Sequence, residues 1–207
     1  MEAARELFFQ QGYASTGIAQ ILRQSEANSG SLYHFFPTKE DLLIAVLEKY
    51  KNMLEPAVLG PAFQRVSDPI ERLFAVLDGY RRLLAATDFQ LGCPIGNLAL
   101  ETSNAYPQVR QLVEQNFEAW RQAIKQLIEA AAERLPEGSN PQELSHFVLA
   151  TMEGAVMLSR AYRDFEPFDS TISSLRYYFE RLLKAGSEWS APKQLTSGDS
   201  YASTSNP

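Results

Sequence analysis

Apolar residues recur every three or four positions along nearly the whole chain, and nowhere alternate with polar ones for the length of a strand. Residues three and four apart share one face of an α-helix, so this period constrains the fold more than any other feature. Val, Ile and Thr are scattered rather than clustered, and the predicted fold class is all-α. Ala4, Leu7 and Phe8 form a first stripe that ends at Gly12. Ile18, Ile21 and Leu22 form a second, after Ser15 or Thr16 as N-cap. A turn over 25–28 leads to a short helix over about 29–36. Pro37 then breaks the chain, and Thr38-Lys39-Glu40-Asp41 reads as a capping box with Asp41 in place of the usual Glu. It opens a long helix carrying Leu43, Val46, Leu47, Tyr50 and Leu54.

Gly60, Pro61 and Pro69 mark a linker over 59–69, and longer helices follow it. Ile70, Leu73, Phe74, Leu77, Tyr80 and Leu84 make one stripe, and a short helix is expected within 92–107. Val109, Leu112, Val113, Phe117, Trp120, Ile124, Leu127 and Ile128 make another. After a turn at 135–141, residues 144–162 are apolar nearly all round, which predicts burial on several sides. Ile172, Leu175, Phe179, Leu182 and Leu183 mark a last helix over 170–185. Beyond Gly186 the chain is rich in Ser, Thr, Gly and Pro, so 187–207 reads as a mobile tail. The expected organisation is a reading domain over 1–51, a helical domain over 52–186 and the tail.

The totals exclude several classes. No apolar run approaches the ~20 residues of a membrane span, and the N-terminus carries acidic residues where a signal peptide is basic. The expected location is cytoplasmic, with no membrane partner. A single cysteine, Cys93, rules out an intrachain disulfide or a CxxC pair. There is no HExxH, GxGxxG or Walker loop, and "GCPIG" lacks the Lys-Ser/Thr of a phosphate loop. His34 and His146, the two histidines, lie far apart in sequence. Neither an enzyme, a metal site nor a cofactor is expected.

The stretch "NSGSLYHFFPTKEDLL" (28–43) carries the chemistry. Two short helices joined by a tight turn make a helix-turn-helix. Its second helix opens with Ser29, Gly30 and Ser31, small enough to enter a major groove ~12 Å wide. The helix starts at Thr16 and at Thr38–Lys39 offer backbone amides to phosphate. A lysine at a helix start opposes the helix dipole, so Lys39 is either a solvated side chain or a phosphate clamp.

"LFFQQGYASTGIAQIL" and "SGSLYHFFPTKEDLLIAVL" together resemble the DNA-binding domain of the TetR (tetracycline repressor-like) family of transcription regulators. "GCPIGNLALE" resembles one subgroup of it. The resemblance implies phosphate contacts from Thr16, Tyr33, His34 and Lys39. It implies groove contacts from Ser29, Gly30, Ser31 and Tyr33, and core roles for Leu32, Phe35 and Phe36. It also implies a basic arm ahead of residue 1, so the reading domain is expected to be N-terminally truncated. The turn departs from the family pattern: Glu26, Ala27 and Asn28 stand where a glycine, an apolar residue and a serine are usual. Ser29 stands where a basic residue is common. Residues 1–51 hold five basic side chains against six acidic ones, a poor balance for binding DNA.

The resemblance further implies a small-molecule effector, a double-stranded DNA operator and a homodimer. Tyr80, Cys93, Asn97, Glu101, Phe117, Trp120, Phe147, Met152 and Tyr162 are candidates to meet the effector. Each has a plain core or helix-surface alternative, and Cys93 a second one as a redox sensor. Ala150, Gly154 and Ala161, with Leu175, Phe179 and Leu182, suggest a four-helix dimer interface, with a core role as the alternative. The reading is a ligand-responsive regulator, a repressor, on a near-palindromic operator. The alternative is a helical dimer that binds ligand or protein and has lost DNA binding.

Overall fold

The computed structural model of the chain describes residues 1–64, 66–102 and 106–188, and among them there is no strand. Ten α-helices follow in order: α1 (Glu2–Gln11), α2 (Ile18–Ser25), α3 (Ser29–Phe35), α4 (Lys39–Met53), α5 (Gly60–Phe63), α6 (Pro69–Ala86), α7 (Pro94–Thr102), α8 (Pro107–Glu129), α9 (Pro141–Tyr162) and α10 (Glu166–Glu188).

Helices α1 to α4 close around a small core. Leu7 and Phe8 of α1 meet Leu42, Leu43, Val46 and Leu47 of α4, with Ile21 and Leu32 from the two short helices. Local chemistry sets the boundaries. The Asn28 side chain accepts the Ser31 amide at 2.7 Å and starts α3. Thr38 and Asp41 form a reciprocal capping box that starts α4. The α2 cap is a backbone one at Gly17, one residue beyond the expected Ser15 or Thr16.

α4 does not end in a loop. It runs on through a π-helical turn, Leu54–Leu59, into α5, and the Gly60 amide donates to the Glu55 carbonyl, one residue further back than in an α-helix. Pro56 and Pro61 lack the N–H that a regular ladder needs. The wider turn lets the helical path continue past them. Residues 59–63 of the expected 59–69 linker are therefore helical, and Asp68 caps α6 by accepting the Ile70 and Glu71 amides.

The remaining helices pack as a bundle in which α8 lies between α4 and α9, and α9 against α10. Asn116 stitches α8 to α4: its buried amide donates to the Leu47 carbonyl at 3.1 Å and to the Leu112 carbonyl at 2.8 Å. Arg81 grips Asp169 with two hydrogen bonds, 2.7 and 2.8 Å, tying α6 to α10. α9 packs against α8, α10 and α6, the burial on several sides that its apolar pattern predicts, while Phe147, Met157, Leu158 and Tyr162 stay exposed. α10 begins at Glu166 and still includes Ser187 and Glu188, at the head of the expected tail. The rest of that tail lies outside the described residues. No helix among the described residues is long and apolar enough to cross a membrane.

Candidate nucleic-acid interface and ligand cavity

The α3 helix has two sides. Leu32 is its buried anchor, and Phe36, just past its end, packs partly against the core. Ser29, Gly30, Ser31, Tyr33 and His34 are all exposed. Phe35, expected in the core, is 69% exposed and meets His34 edge-on, with ring centroids 4.9 Å apart. At 100° per residue only one of two neighbouring phenylalanines can follow Leu32 inward, and Phe36 takes that place. Glu26 adopts φ 53, the left-handed conformation that a glycine takes without strain. Its side chain is exposed beside α3.

Two residues expected at the phosphate backbone are engaged elsewhere. Thr16 is 1% exposed; its hydroxyl donates to the Gly12 carbonyl at 2.6 Å and accepts from Gln11 Nε2 at 3.1 Å. Lys39 Nζ donates to the Tyr13 carbonyl at 2.5 Å and sits 4.2 Å from the centre of the Tyr13 ring. Burial there lowers the lysine pKa below its ordinary value, while the nearby Glu101 carboxylate pushes it back up. Reaching phosphate requires Lys39 to leave that seat.

A cavity of about 410 Å³ opens between α4, α5, α6, the start of α7 and α8. Tyr80, Cys93 and Trp120 line it, together with residues the sequence reading missed, among them Tyr50, Leu54, Val58, Arg82 and Asn116. Asn116 carried a signal, as a polar residue inside the apolar stripe of α8. Lys51 and Arg82, the latter ion-paired with Asp78, are the cationic side chains of a largely apolar lining. The buried Tyr50 hydroxyl has no hydrogen-bond partner of good geometry, although the Arg5 guanidinium lies 5.9 Å from its ring centre. Burial raises the Tyr50 pKa to about 12, against the pull of Arg5. Tyr80 donates to Cys93 Sγ at 3.9 Å. Burial first, then the Glu153 carboxyl, pushes the Cys93 thiol far above its ordinary range, which makes it a poor nucleophile.

The other effector candidates lie away from this cavity. Asn97 and Phe117 border a separate groove of about 280 Å³ between α7, α8 and α9, which Cys93 also touches. Met152 is sealed in the core, Phe147 meets Tyr178 edge-on at the surface, and Tyr162 is exposed. Glu101 bonds instead to the turn after α1, accepting the Tyr13 amide at 2.8 Å and the Ala14 amide at 2.5 Å. Among the dimer candidates, Ala150 and Ala161 are exposed and Gly154 is half-buried. Leu175 and Phe179 are buried within the chain's own core, Phe179 edge-on to Phe74, and Leu182 packs partly against the same core. The open face of α10 carries Tyr177 and Tyr178 instead.

A helix-turn-helix joined by one long helix to a helical bundle is the architecture of a DNA-binding transcription regulator. The comparisons agree. Residues 1–46 match the family model for bacterial regulatory proteins of the tetR family, and residues 69–173 match the model for the C-terminal domain of LmrA/YxaF-like transcriptional regulators. The HTH-type transcriptional regulator LmrA of Bacillus subtilis is 30% identical over 81% of this chain and 87% of its own. The HTH-type transcriptional repressor DhaR of a Mycobacterium species is 26% identical over 88% and 90%. The crystal structure of the regulatory protein TetR from Rhodobacter sphaeroides superposes with a TM-score of 0.76 at 27% identity, covering 84% of this chain and 93% of that one. The chain belongs to the TetR family of transcriptional regulators, and is not an enzyme.

Proposed function

We propose that this regulator is a ligand-released repressor that binds a near-palindromic operator as a homodimer. The observation that carries the DNA reading is the division of α3: Leu32 holds it inward while Ser29, Gly30, Ser31, Tyr33 and His34 stand exposed together. In this reading the small residues enter the groove and Tyr33 and His34 meet phosphate. The dimer forms through the open apolar faces of α9 and α10, including Phe147, Gly154, Met157 and Tyr178. Two copies then set two α3 helices about one turn of DNA apart. The effector occupies the cavity beside Tyr80, Cys93 and Trp120, and is a moderately apolar small molecule.

The test is selection of duplex DNA by the purified protein, followed by a salt titration of binding to the recovered sequence. A two-fold-symmetric consensus is expected, with affinity that falls steeply with salt. The absence of sequence-selective binding would favour a helical dimer that has lost DNA recognition. The net acidic reading domain and the inward-turned Lys39 are what favour that second reading.

A further inference from the structure

α7 touches three neighbours at once. At its start, Cys93, Pro94 and Ile95 wall the cavity. On its α9 side, the glycines of "GCPIG" make room for two ionisable side chains: a Cβ on Gly92 would lie 2.5 Å from Arg160 Cδ, and one on Gly96 would overlap the Glu153 carboxyl. At its far end, the Glu101 carboxylate takes the backbone amides of Tyr13 and Ala14. The three jobs fall within residues 92–101, so the stretch has little freedom to serve one without moving another.

The turn that Glu101 holds is a junction in its own right. Tyr13 gives its amide to Glu101 and its carbonyl to Lys39, and its ring meets Tyr106 edge-on at 5.6 Å. Gly12 has φ 88, and a Cβ there would come within 3.1 Å of the Glu101 carboxylate. Residues 12–14 therefore join the end of α1, the start of α4 and the last turn of α7. From Pro94 to Glu101 the helix is a rod roughly 10 Å long, about two turns. A displacement of about 1 Å at Glu101 is enough to take hydrogen bonds of this length beyond bonding range.

We infer that Glu101 is a positioning residue for DNA binding, a latch that passes occupancy of the cavity to the reading domain. An occupant that shifts Cys93–Ile95 moves the rod and opens or re-seats the two amide bonds. The inference rests on the ligand-responsive reading above. It is distinct from a merely structural role, in which Glu101 would support the fold equally with the cavity full or empty.

The experiment uses the full chain, the selected operator, and 1-anilinonaphthalene-8-sulfonate as probe. This amphiphilic anion, an aromatic body with one sulfonate, suits an apolar cavity bordered by Lys51 and Arg82. Ala75→Trp, which fills the cavity, controls for binding elsewhere. In the wild type, the probe is expected to change operator Kd by about 5- to 150-fold and to alter amide exchange at Tyr13 and Ala14. In Glu101→Ala those amides exchange about tenfold faster or more, the probe still binds, and the ratio of operator Kd with and without probe falls close to one. Glu101→Gln, which keeps one acceptor oxygen, falls between. An equal ratio in wild type and Glu101→Ala overturns the latch and leaves ligand response standing. A wild-type ratio of one, with no change in exchange, overturns the ligand-responsive reading and the latch together.

Discussion

Leu32→Ala, Phe35→Ala and Tyr33→Ala should separate the mount of α3 from its reading face. α3 has seven residues, too few to be helical without tertiary support. That support comes from Leu32, 8% exposed, and the partly buried Phe36. Truncating a buried leucine removes its transfer free energy and leaves a void, together about 2–5 kcal/mol; at the edge of a small core the low end, about 2–3 kcal/mol, applies. Phe35 is 69% exposed, so its loss forfeits a minor apolar area and one edge contact with His34, about 1 kcal/mol or less. Tyr33, 48% exposed, should also cost well under the Leu32 truncation in stability. Its loss should weaken operator binding about tenfold or more, the worth of one hydrogen bond to a charged group. Urea unfolding followed by the helical signal, paired with gel shifts on the selected operator, measures both quantities. If Phe35→Ala destabilises as much as Leu32→Ala, α3 is rotated from the orientation described. If Tyr33→Ala leaves operator affinity within twofold of wild type, the assigned reading face is wrong.

Glu26→Gly should raise the unfolding free energy by about 0.5–1 kcal/mol, since it relieves a left-handed backbone at the cost of some unfolded-state entropy; it should also tighten operator binding at low salt by removing a negative charge, and a loss of stability would show that φ 53 is not strained here. The hydrogen bonds of Arg5, and then of Lys49, hold the Glu2 carboxyl at about 2, below its ordinary 4.5. A depressed carboxylate stabilises the fold fully above its unfolded pKa, and that contribution is lost as pH falls from about 4.5 to about 2. Glu2→Gln should therefore flatten the acid limb of stability in that window, by a small amount because the site is open to solvent; an unchanged limb refutes the ion-pair account. Cys93 in the folded protein should react with iodoacetamide at near-neutral pH far more slowly than in urea, and equal rates would contradict its burial beside Tyr80.

Features set by neighbours in sequence were legible, and features set by distant partners were not. The Thr38–Asp41 capping box and the Asn28 cap each close within four residues, so their side-chain types announce them. Thr16 also looked like a cap, but the Gly12 carbonyl and Gln11 draw its hydroxyl inward. Phe35 and Phe36 are chemically equal in the sequence, and only the direction of Leu32 decides between them. Leu175 and Phe179 fit an interface by periodicity, and Phe74, about a hundred positions away, claims that face for the core. Glu101 drew notice as a polar residue after "GCPIG", yet its partners lie 88 and 87 positions upstream. The π-helical turn was hidden because paired prolines more often end a helix than widen it.

The Tyr13 backbone joins Glu101 to Lys39. Its amide is held by Glu101 and its carbonyl by Lys39. A Lys39 that turns to phosphate gives up the carbonyl, and so removes one of the bonds that keep the 12–14 turn in place for Glu101. Binding free energies are reciprocal: whatever effect cavity occupancy has on operator affinity through this turn, the operator must have on affinity for the cavity ligand. The long α4 offers a second mechanical route, because it carries Lys39 at one end while Tyr50 and Lys51, in its last turn, line the cavity. The routes differ in what severs them. Glu101→Ala cuts the path through α7 and leaves the covalent path through α4 intact. Any coupling that survives that substitution therefore measures the share carried by α4.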